Sequence, residues 1–273
     1  MLPKRDWMAM AWPDFAGPDT VRWIAVLPLA AVEQHGPHLP VGVDSHIGDA
    51  YLARARALVP DDLPASFLPA QRIGQSDEHL AFPGTLTFSA ATVIRAWTEI
   101  GESVHRAGVR KLVLVTSHGG NVPAMDIVSR DLRARLGMLV VTVGWHRFGY
   151  PDDAFTATER RHGIHAGDVE TSLMLAAEPG TVRRDRIENF PPATLAMECD
   201  FQWLNAGRPA GFGWMTQDLH PSGALGDATQ ATAAKGEAAL DHGARAFVEL
   251  LREVDRFELS RLAPGPLGST ADH

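Results

Sequence analysis

The sequence predicts an α/β fold built around a largely parallel sheet. Short apolar runs rich in Val, Leu and Ile alternate with amphipathic segments along most of the 273-residue chain. This alternation is typical of βα units, in which crossover helices make neighbouring strands parallel. Clusters of His, Asp and Glu follow directly after some of the apolar runs. Ligands collect at the carboxyl ends of strands in open α/β sheets, so these clusters indicate a functional site at that edge.

The strands and the first helices are predicted from the spacing of apolar residues. The strands are expected at residues 23–29, 66–69, 111–116 and 138–144, each bounded by polar residues or glycine. Helices are expected over residues 90–107 and 122–136, and each carries an apolar stripe at helical spacing. The stripe residues, interpreted as core, are Ile94, Trp97, Ile100 and Val104 in the first helix and Met125, Val128, Leu132 and Leu136 in the second.

The last third of the chain is less regular. Asp227 followed by Gln230 resembles a capping box and predicts an Ala-rich helix that runs to about residue 255. Residues 179–226 have little periodicity but many Pro, Gly and aromatic residues, which indicates a cap or a subunit contact. We expect one domain over residues 1–260 and a flexible tail over residues 261–273.

Composition excludes several classes of protein. A formal net charge of -8 without a long basic run argues against nucleic-acid binding. No apolar stretch approaches the length of a membrane span, and no signal peptide is evident, so a cytoplasmic protein without a membrane role is expected. The single cysteine, Cys199, excludes an internal disulfide framework and a thiolate metal cage, and it is interpreted as a small packing residue.

The first chemical cluster lies between Glu33 and Asp44, directly after the first predicted strand. It combines Glu33, His35 and Asp44 in a short segment. A strand that delivers these side chains from its carboxyl end can surround a divalent cation with oxygen and nitrogen donors.

The second cluster is residues 117–121, SHGGN, at the end of the strand predicted at 111–116. Taken alone, His118 is most simply a hydrogen-bonded turn residue. Because its strand shares a sheet edge with the first cluster, a role as a further metal ligand is favoured.

The third cluster, residues 162–172, leads into an apolar helix. Successive helical residues are ~100° apart, so His165 and Glu170 reach one site only if His165 precedes the first turn. Asp168 is interpreted as a first-turn carboxylate that the helix dipole stabilises. Glu170 is interpreted as a fifth metal ligand.

Together these segments resemble the creatininase, or creatinine amidohydrolase, family. The matching segments are residues 27–28, 33–40, 44, 117–121 and 165–172, with weaker matches at 78–85, 226–229 and 234–236. The resemblance spans roughly residues 22–250 in the order of the family.

The resemblance implies a three-layer α/β/α hydrolase with two adjacent divalent cations, usually assembled as a homo-oligomer and often as a hexamer. The implied ligands are Glu33, His35, Asp44, His118 and Glu170, with Asp44 between the metals. The absence of sulfur donors suits Zn, Mn or Fe. His165 is similar to the catalytic histidine of the family, which would shuttle a proton to the departing nitrogen.

The predicted activity is hydrolysis of a carbon–nitrogen bond in a cyclic amide, formamide or related small molecule, by a hydroxide that bridges the metals. The alternatives are a hydrolase that opens an oxidised cyclic sugar or inositol, and a non-catalytic metal-binding relative. Gly120 stands where the creatinine enzyme itself carries a glutamate ligand, which argues against creatinine as the substrate. The candidates for substrate contacts are His79, Trp145, His146, Tyr150 and residues 190–214.

Overall fold

The computed structural model of the chain describes residues 2–207 and 209–265. Its main sheet has four parallel strands in the order β2-β1-β3-β4. The strands are β1 (Ile24–Leu29), β2 (Ala65–Phe67), β3 (Lys111–Thr116) and β4 (Leu139–Gly144). The predicted α/β class is confirmed, and every predicted strand of this sheet lies within two residues of its expected bounds.

The two central strands are buried on both faces, which explains why they are continuous apolar runs. Every residue of β1 and of β3 is buried. Side chains alternate across a strand, so Ile24 and Val26 enter one hydrophobic core while Ala25 and Leu27 enter the other. The two cores require a layer of helices on each face of the sheet.

Helices supply both layers. One face of the sheet is covered by α1 (Val43–Leu58), α5 (Asp168–Ala177) and α8 (Ala233–Arg256), and the other by α2 (Ala90–Arg106) and α3 (Val122–Leu136). The three-layer α/β/α arrangement implied by the family resemblance is therefore present.

Local signals account for the bounds of the two helices on the second face. Ser89 is the N-cap of α2, and its hydroxyl accepts a hydrogen bond from the backbone N–H of Thr92 at 3.3 Å. Gly137 ends α3 in the left-handed region at a φ of 66°. Trp97 and Val128 are buried, so the apolar stripes form core as expected.

Residues 179–226 contain only short elements. They include β5 (Asn189–Phe190), β6 (Leu204–Asn205) and β7 (Ala210–Gly211), and the helices α6 (Thr194–Asp200) and α7 (Thr216–Leu219). The short helix α4 (Ala157–His162) precedes α5, and the short strand β8 (Gly226–Asp227) pairs with β5. Cys199 on α6 is exposed, so its interpretation as a packing residue is wrong. The physical reason is that α6 turns most of its surface, Cys199 included, away from the core.

The start of the long C-terminal helix also differs from the prediction. The Asp227 side chain accepts from the backbone N–H of Thr229 at 3.1 Å and caps only a single 3₁₀ turn. The first residue of α8 is Ala233, and Thr232 is its N-cap, accepting from the N–H of Lys235 at 3.2 Å. Two capping signals a few residues apart compete here, and the second one begins the helix.

None of the helices in the described part of the chain combines the length and apolarity that crossing a bilayer requires. The tail predicted at residues 261–273 falls mostly outside the described residues, since residues 266–273 are not among them. The single domain over residues 1–260 stays a prediction.

We expect Thr232→Ala to lower the free energy of unfolding by about 1 kcal/mol, because α8 loses the side-chain acceptor at its first turn. Thr232→Ser retains a hydroxyl and should stay close to the parent protein. Urea denaturation of the three proteins measures the difference. Equal stability of the alanine and serine variants would contradict this assignment of the cap.

Candidate metal centre

The five predicted ligands lie together at the carboxyl edge of the sheet. Glu33 and His35 are in the loop after β1, Asp44 is in the first turn of α1, His118 follows β3, and Glu170 is in the first turn of α5. Glu33, His35 and Asp44 are each 1% exposed and His118 is 5% exposed. Four chain segments therefore converge on one buried pocket.

The distances define a pocket with two ends. At one end, His35 Nε2 lies 3.8 Å from Asp44 Oδ2 and 3.7 Å from Glu170 Oε2. At the other end, His118 Nδ1 lies 3.1 Å from Glu33 Oε1. Glu33, His35 and Asp44 each offer a ligand atom within 4.8 Å of the other two. Asp44 thus lies near a residue of each end, His35 and Glu33, and its position between two metals stays a prediction.

Three polar atoms in this pocket are buried and have no hydrogen-bond partner among the described residues. They are Glu33 Oε2, His35 Nε2 and Asp44 Oδ2. Buried polar atoms are almost always satisfied, since leaving one unpaired costs about 1–3 kcal/mol. All three atoms can donate a lone pair, so a cation bound among them would satisfy the whole set. The residues present fit a metal centre.

Backbone carbonyls set the direction of two histidine rings. His35 Nδ1 lies 3.0 Å from the carbonyl oxygen of Glu33, and His118 Nε2 lies 2.8 Å from that of Gln75. A carbonyl oxygen only accepts, so each of these nitrogens carries the proton and the other nitrogen of the ring faces the pocket. Metal-ligating histidines are typically oriented in this way.

Burial and the clustered carboxylates shift the pKa values of the side chains that line the pocket. Burial opposes a charge on His118, but the adjacent Glu33 carboxylate outweighs burial and raises the pKa of His118 to about 10. Burial and the charge of Glu33 together raise the pKa of Asp44 well above its usual range. By contrast, burial lowers the pKa of His35 to about 4, so this ring is neutral near pH 7.

His165 lies in the loop that precedes α5. Because α5 begins at Asp168, His165 stands outside the helix and can face the same pocket as Glu170. Its Nε2 donates to the carbonyl oxygen of Gln34 at 2.7 Å, and its Nδ1 lies 3.9 Å from Glu33 Oε1. Its ring packs against His35, with centroids 4.1 Å apart. An unprotonated nitrogen of His165 thus faces the ligands.

A buried carboxylate and an ion pair hold this loop and the start of α5. Glu159 accepts from the backbone N–H groups of Val169 and Asp227, each at 3.3 Å. Asp168 accepts from Lys235 Nζ on α8 at 2.6 Å, a stronger contact than the helix-dipole role expected for it. Both carboxylates therefore stabilise the segment that carries Glu170.

The sequence did not indicate Glu78 as part of the site. Its Oε1 lies 3.5 Å from His118 Nε2. A Cβ built on Gly120 would lie 2.6 Å from Glu78 Oε1 and 2.3 Å from His118 Nε2, so no side chain fits at position 120 unless these groups move. The weak family match at residues 78–85 was the only signal for this contact.

The predicted substrate contacts differ in their surroundings. Trp145 stacks on Tyr51 with centroids 4.5 Å apart, and Phe190 stacks on His38 at 5.2 Å, so both are packing residues. His146 is exposed and Tyr150 is half-buried. His79 is 2% exposed, and its Nε2 lies 3.3 Å from Glu33 Oε1.

The sequence model of the creatininase family, described as creatinine amidohydrolase, matches residues 8–251. The chain belongs to this family. It is therefore a metal-dependent amidohydrolase, as the sequence predicted.

Two curated relatives illustrate the range of the family. A mycofactocin precursor peptide peptidase of Mycobacterium ulcerans (strain Agy99) is 34% identical over 253 residues, which cover 90% of this chain and 88% of the relative. The creatinine amidohydrolase of Pseudomonas putida is 30% identical over 249 residues, covering 84% of this chain and 89% of that protein.

Solved structures of creatininase share the fold. The structure named "Creatininase Mn" has a TM-score of 0.73 and 26% identity, with 93% of this chain and 100% of that chain covered. Mutant creatininases at the same identity include a "Zn-Zn type" and one complexed with creatine.

We expect Glu33→Gln and His118→Ala to lose bound metal, because each variant removes a donor that faces the pocket. Elemental analysis of the purified proteins measures the metal content. Glu99→Gln, an exposed substitution on α2, is the matched control and should retain the parent content. A full metal content in both pocket variants would refute the ligand assignment.

Metal loading should release at least about one proton per chain at pH 8. With its pKa raised to about 10, His118 carries a proton on Nδ1 at this pH until a cation displaces it. The apparent affinity should accordingly rise with pH up to about 10. Calorimetric titration with Zn²⁺ in buffers of different ionisation enthalpy counts the protons. A binding heat that is independent of the buffer would contradict this assignment.

Proposed function

We propose that this chain hydrolyses the C–N bond of an amide in a peptide or a small molecule, at a site that holds two divalent cations. The proposed ligands are Glu33, His35, Asp44, His118 and Glu170. The observation that carries the proposal is the convergence of three unpaired ligand atoms beside His165 Nδ1. A metal pocket with a neutral imidazole at its wall is equipped for hydrolysis.

The donor set favours particular metals. It contains carboxylates and imidazoles and no thiolate, which suits Zn, Mn or Fe. The Mn and Zn–Zn structures of creatininase support the first two. When bound, such cations lower the pKa of a water molecule and polarise the carbonyl oxygen of the substrate.

His165 is proposed to move the proton. The carbonyl oxygen of Gln34 holds its Nε2–H, which leaves Nδ1 free to accept. As water adds to the carbonyl carbon, Nδ1 takes the proton from the water and then gives it to the departing nitrogen. The C–N bond breaks, and the products are a carboxylic acid and an amine. Burial and the neighbouring His35 lower the pKa of His165, so the ring starts in its neutral form.

The surroundings of Gly120 support an amide other than creatinine. The glutamate that the family resemblance places here in the creatinine enzyme has no room in this chain, because Glu78 and His118 occupy the space. The M. ulcerans relative, named a peptidase, supports a peptide amide as the first choice of substrate.

We also propose that the chain forms a homo-oligomer, such as the hexamer that the family resemblance implies. Several large apolar side chains between residues 80 and 88 are exposed, which supports a subunit contact. They are Leu80 (57%), Leu86 (54%) and Phe88 (45%).

A panel of metal-loaded assays tests the proposed reaction. The protein loaded with Mn²⁺ or Zn²⁺ is incubated with short linear peptides, creatinine, formamides and a cyclic inosose. We expect release of an amine from a peptide or another amide, loss of turnover after chelation, and no turnover by Glu33→Gln. Turnover of the inosose alone, or of no amide, would contradict the proposal.

His165→Ala should retain metal and lose turnover by about two to four orders of magnitude, because a proton shuttle accelerates the reaction without holding the cation. Steady-state kinetics and elemental analysis of the same preparation measure both quantities. His105→Ala, near the end of α2, is the control and should be unaffected. Loss of metal from His165→Ala would make this residue a ligand instead.

A further inference from the structure

The buried side chain of Gln34 joins two histidines of the site. Gln34 lies between the proposed ligands Glu33 and His35 and is 6% exposed. Its Nε2 lies 2.8 Å from His79 Nδ1 and 2.9 Å from the carbonyl oxygen of Gly223. Its Oε1 accepts from the backbone N–H of Gly36 at 2.9 Å.

These backbone contacts determine which way the Gln34 amide faces. The N–H of Gly36 can only donate, and the carbonyl of Gly223 can only accept. Exchanging the amide oxygen and nitrogen would place donor against donor and acceptor against acceptor. One N–H of Gln34 therefore bonds to Gly223, and the other is directed at His79 Nδ1.

The amide in turn determines where His79 carries its proton. Nδ1 accepts from Gln34, so the proton of the neutral ring is on Nε2. Thr216 Oγ1 lies 2.9 Å from His79 Nδ1 and is compatible with this assignment, because its hydroxyl can donate to that nitrogen. The third neighbour of the amide is His165 Nε2, at 3.3 Å. This nitrogen donates its proton to the backbone carbonyl oxygen of Gln34, so it does not accept from the amide.

The proton on Nε2 argues against His79 as a metal ligand. Glu33, His79 and His165 lie close enough together to hold a cation. A ligating nitrogen must offer a lone pair, however, and the pocket-facing nitrogen of His79 carries a proton. It lies 3.3 Å from Glu33 Oε1 and can donate to that oxygen.

We propose that His79 is a positioning residue for Glu33. Its Nε2–H bonds to Oε1, holds the plane of the carboxylate and leaves Oε2, which has no partner among the described residues, to face the cation. His118 Nδ1 also lies near Oε1, at 3.1 Å, but it gives up its proton when it becomes a ligand. The bond from His79 remains. The inference rests on the proposed metal centre.

The hydrogen bond from His79 to Glu33 should increase the affinity of the site for metal. Without a donor at position 79, Glu33 Oε1 is left buried beside the cation with no proton to hold it in place. Groups that orient metal ligands in this way typically contribute a factor of 10–100 to metal affinity. The effect should depend on the donor and not on the volume of the side chain.

Two substitutions of His79 separate the effect of its hydrogen-bond donor from the effect of its side-chain volume. His79→Gln places an N–H near the position of Nε2, while His79→Leu fills similar space without a donor. We expect the dissociation constant for Zn²⁺, measured by competition with a chromophoric chelator, to rise about 10–100-fold for the leucine variant. The glutamine variant should remain within about threefold of the parent protein. Circular dichroism in the presence of chelator checks that both variants fold.

Parent-like affinity in the leucine variant, or equal losses in both variants, would overturn the positioning role alone. A parent protein that binds no metal would refute the proposed function itself, so the two failures are distinguishable. Long-range ¹H–¹⁵N spectra of the parent protein provide a test that needs no variant. We expect the Nε2–H tautomer of His79, and an Nδ1–H tautomer would overturn the inference.

Discussion

The structure depends on the burial of three carboxylates in one pocket. Glu33 and Asp44 are 1% exposed, and Glu170 is only partly exposed beside them. Two unit charges ~4 Å apart interact by about 4 kcal/mol at an effective dielectric constant of ~20, so the carboxylates repel one another strongly unless positive charge lies between them. His118 supplies one positive charge, because the neighbouring carboxylates, Glu33 first among them, raise its pKa to about 10. Divalent cations bound among the same oxygen atoms would balance all three.

The scaffold must hold these repelling groups together. Parallel strands bring the loop after β1 and the loop after β3 to one edge, and burial of both faces of the sheet keeps that edge in place. The segment that carries His165 and Glu170 has no strand behind it. Instead, the Glu159 carboxylate and the ion pair between Asp168 and Lys235 anchor it to neighbouring elements. Hydrogen bonds from backbone N–H groups and one ion pair therefore hold this segment in place, whereas the sheet holds the other loops.

Periodicity and local clusters predicted much of this arrangement. Residues 112–115 are apolar because both faces of β3 are buried, and the cluster that follows the strand lies at the sheet edge. Glu78 could not be found in the same way, because its contact with His118 joins segments that share no pattern. The long helix was expected at Asp227 and begins after Thr232, since two capping signals lie a few residues apart and the second one caps α8. Spacing alone could not show that Gln34 determines the tautomer of His79, which depends on the backbone of Gly223.

Anomalous diffraction from crystals of the full chain, grown with Zn²⁺ and measured at the zinc edge, would locate the cations that the ligand set is proposed to hold. Two peaks are expected in the pocket on either side of Asp44, one beside Glu33 and His118 and the other beside His35 and Glu170. Absence of any peak in the pocket, with zinc in the crystal, would contradict the proposed metal centre. A single peak held by His79 would contradict both the ligand set and the positioning role of that histidine.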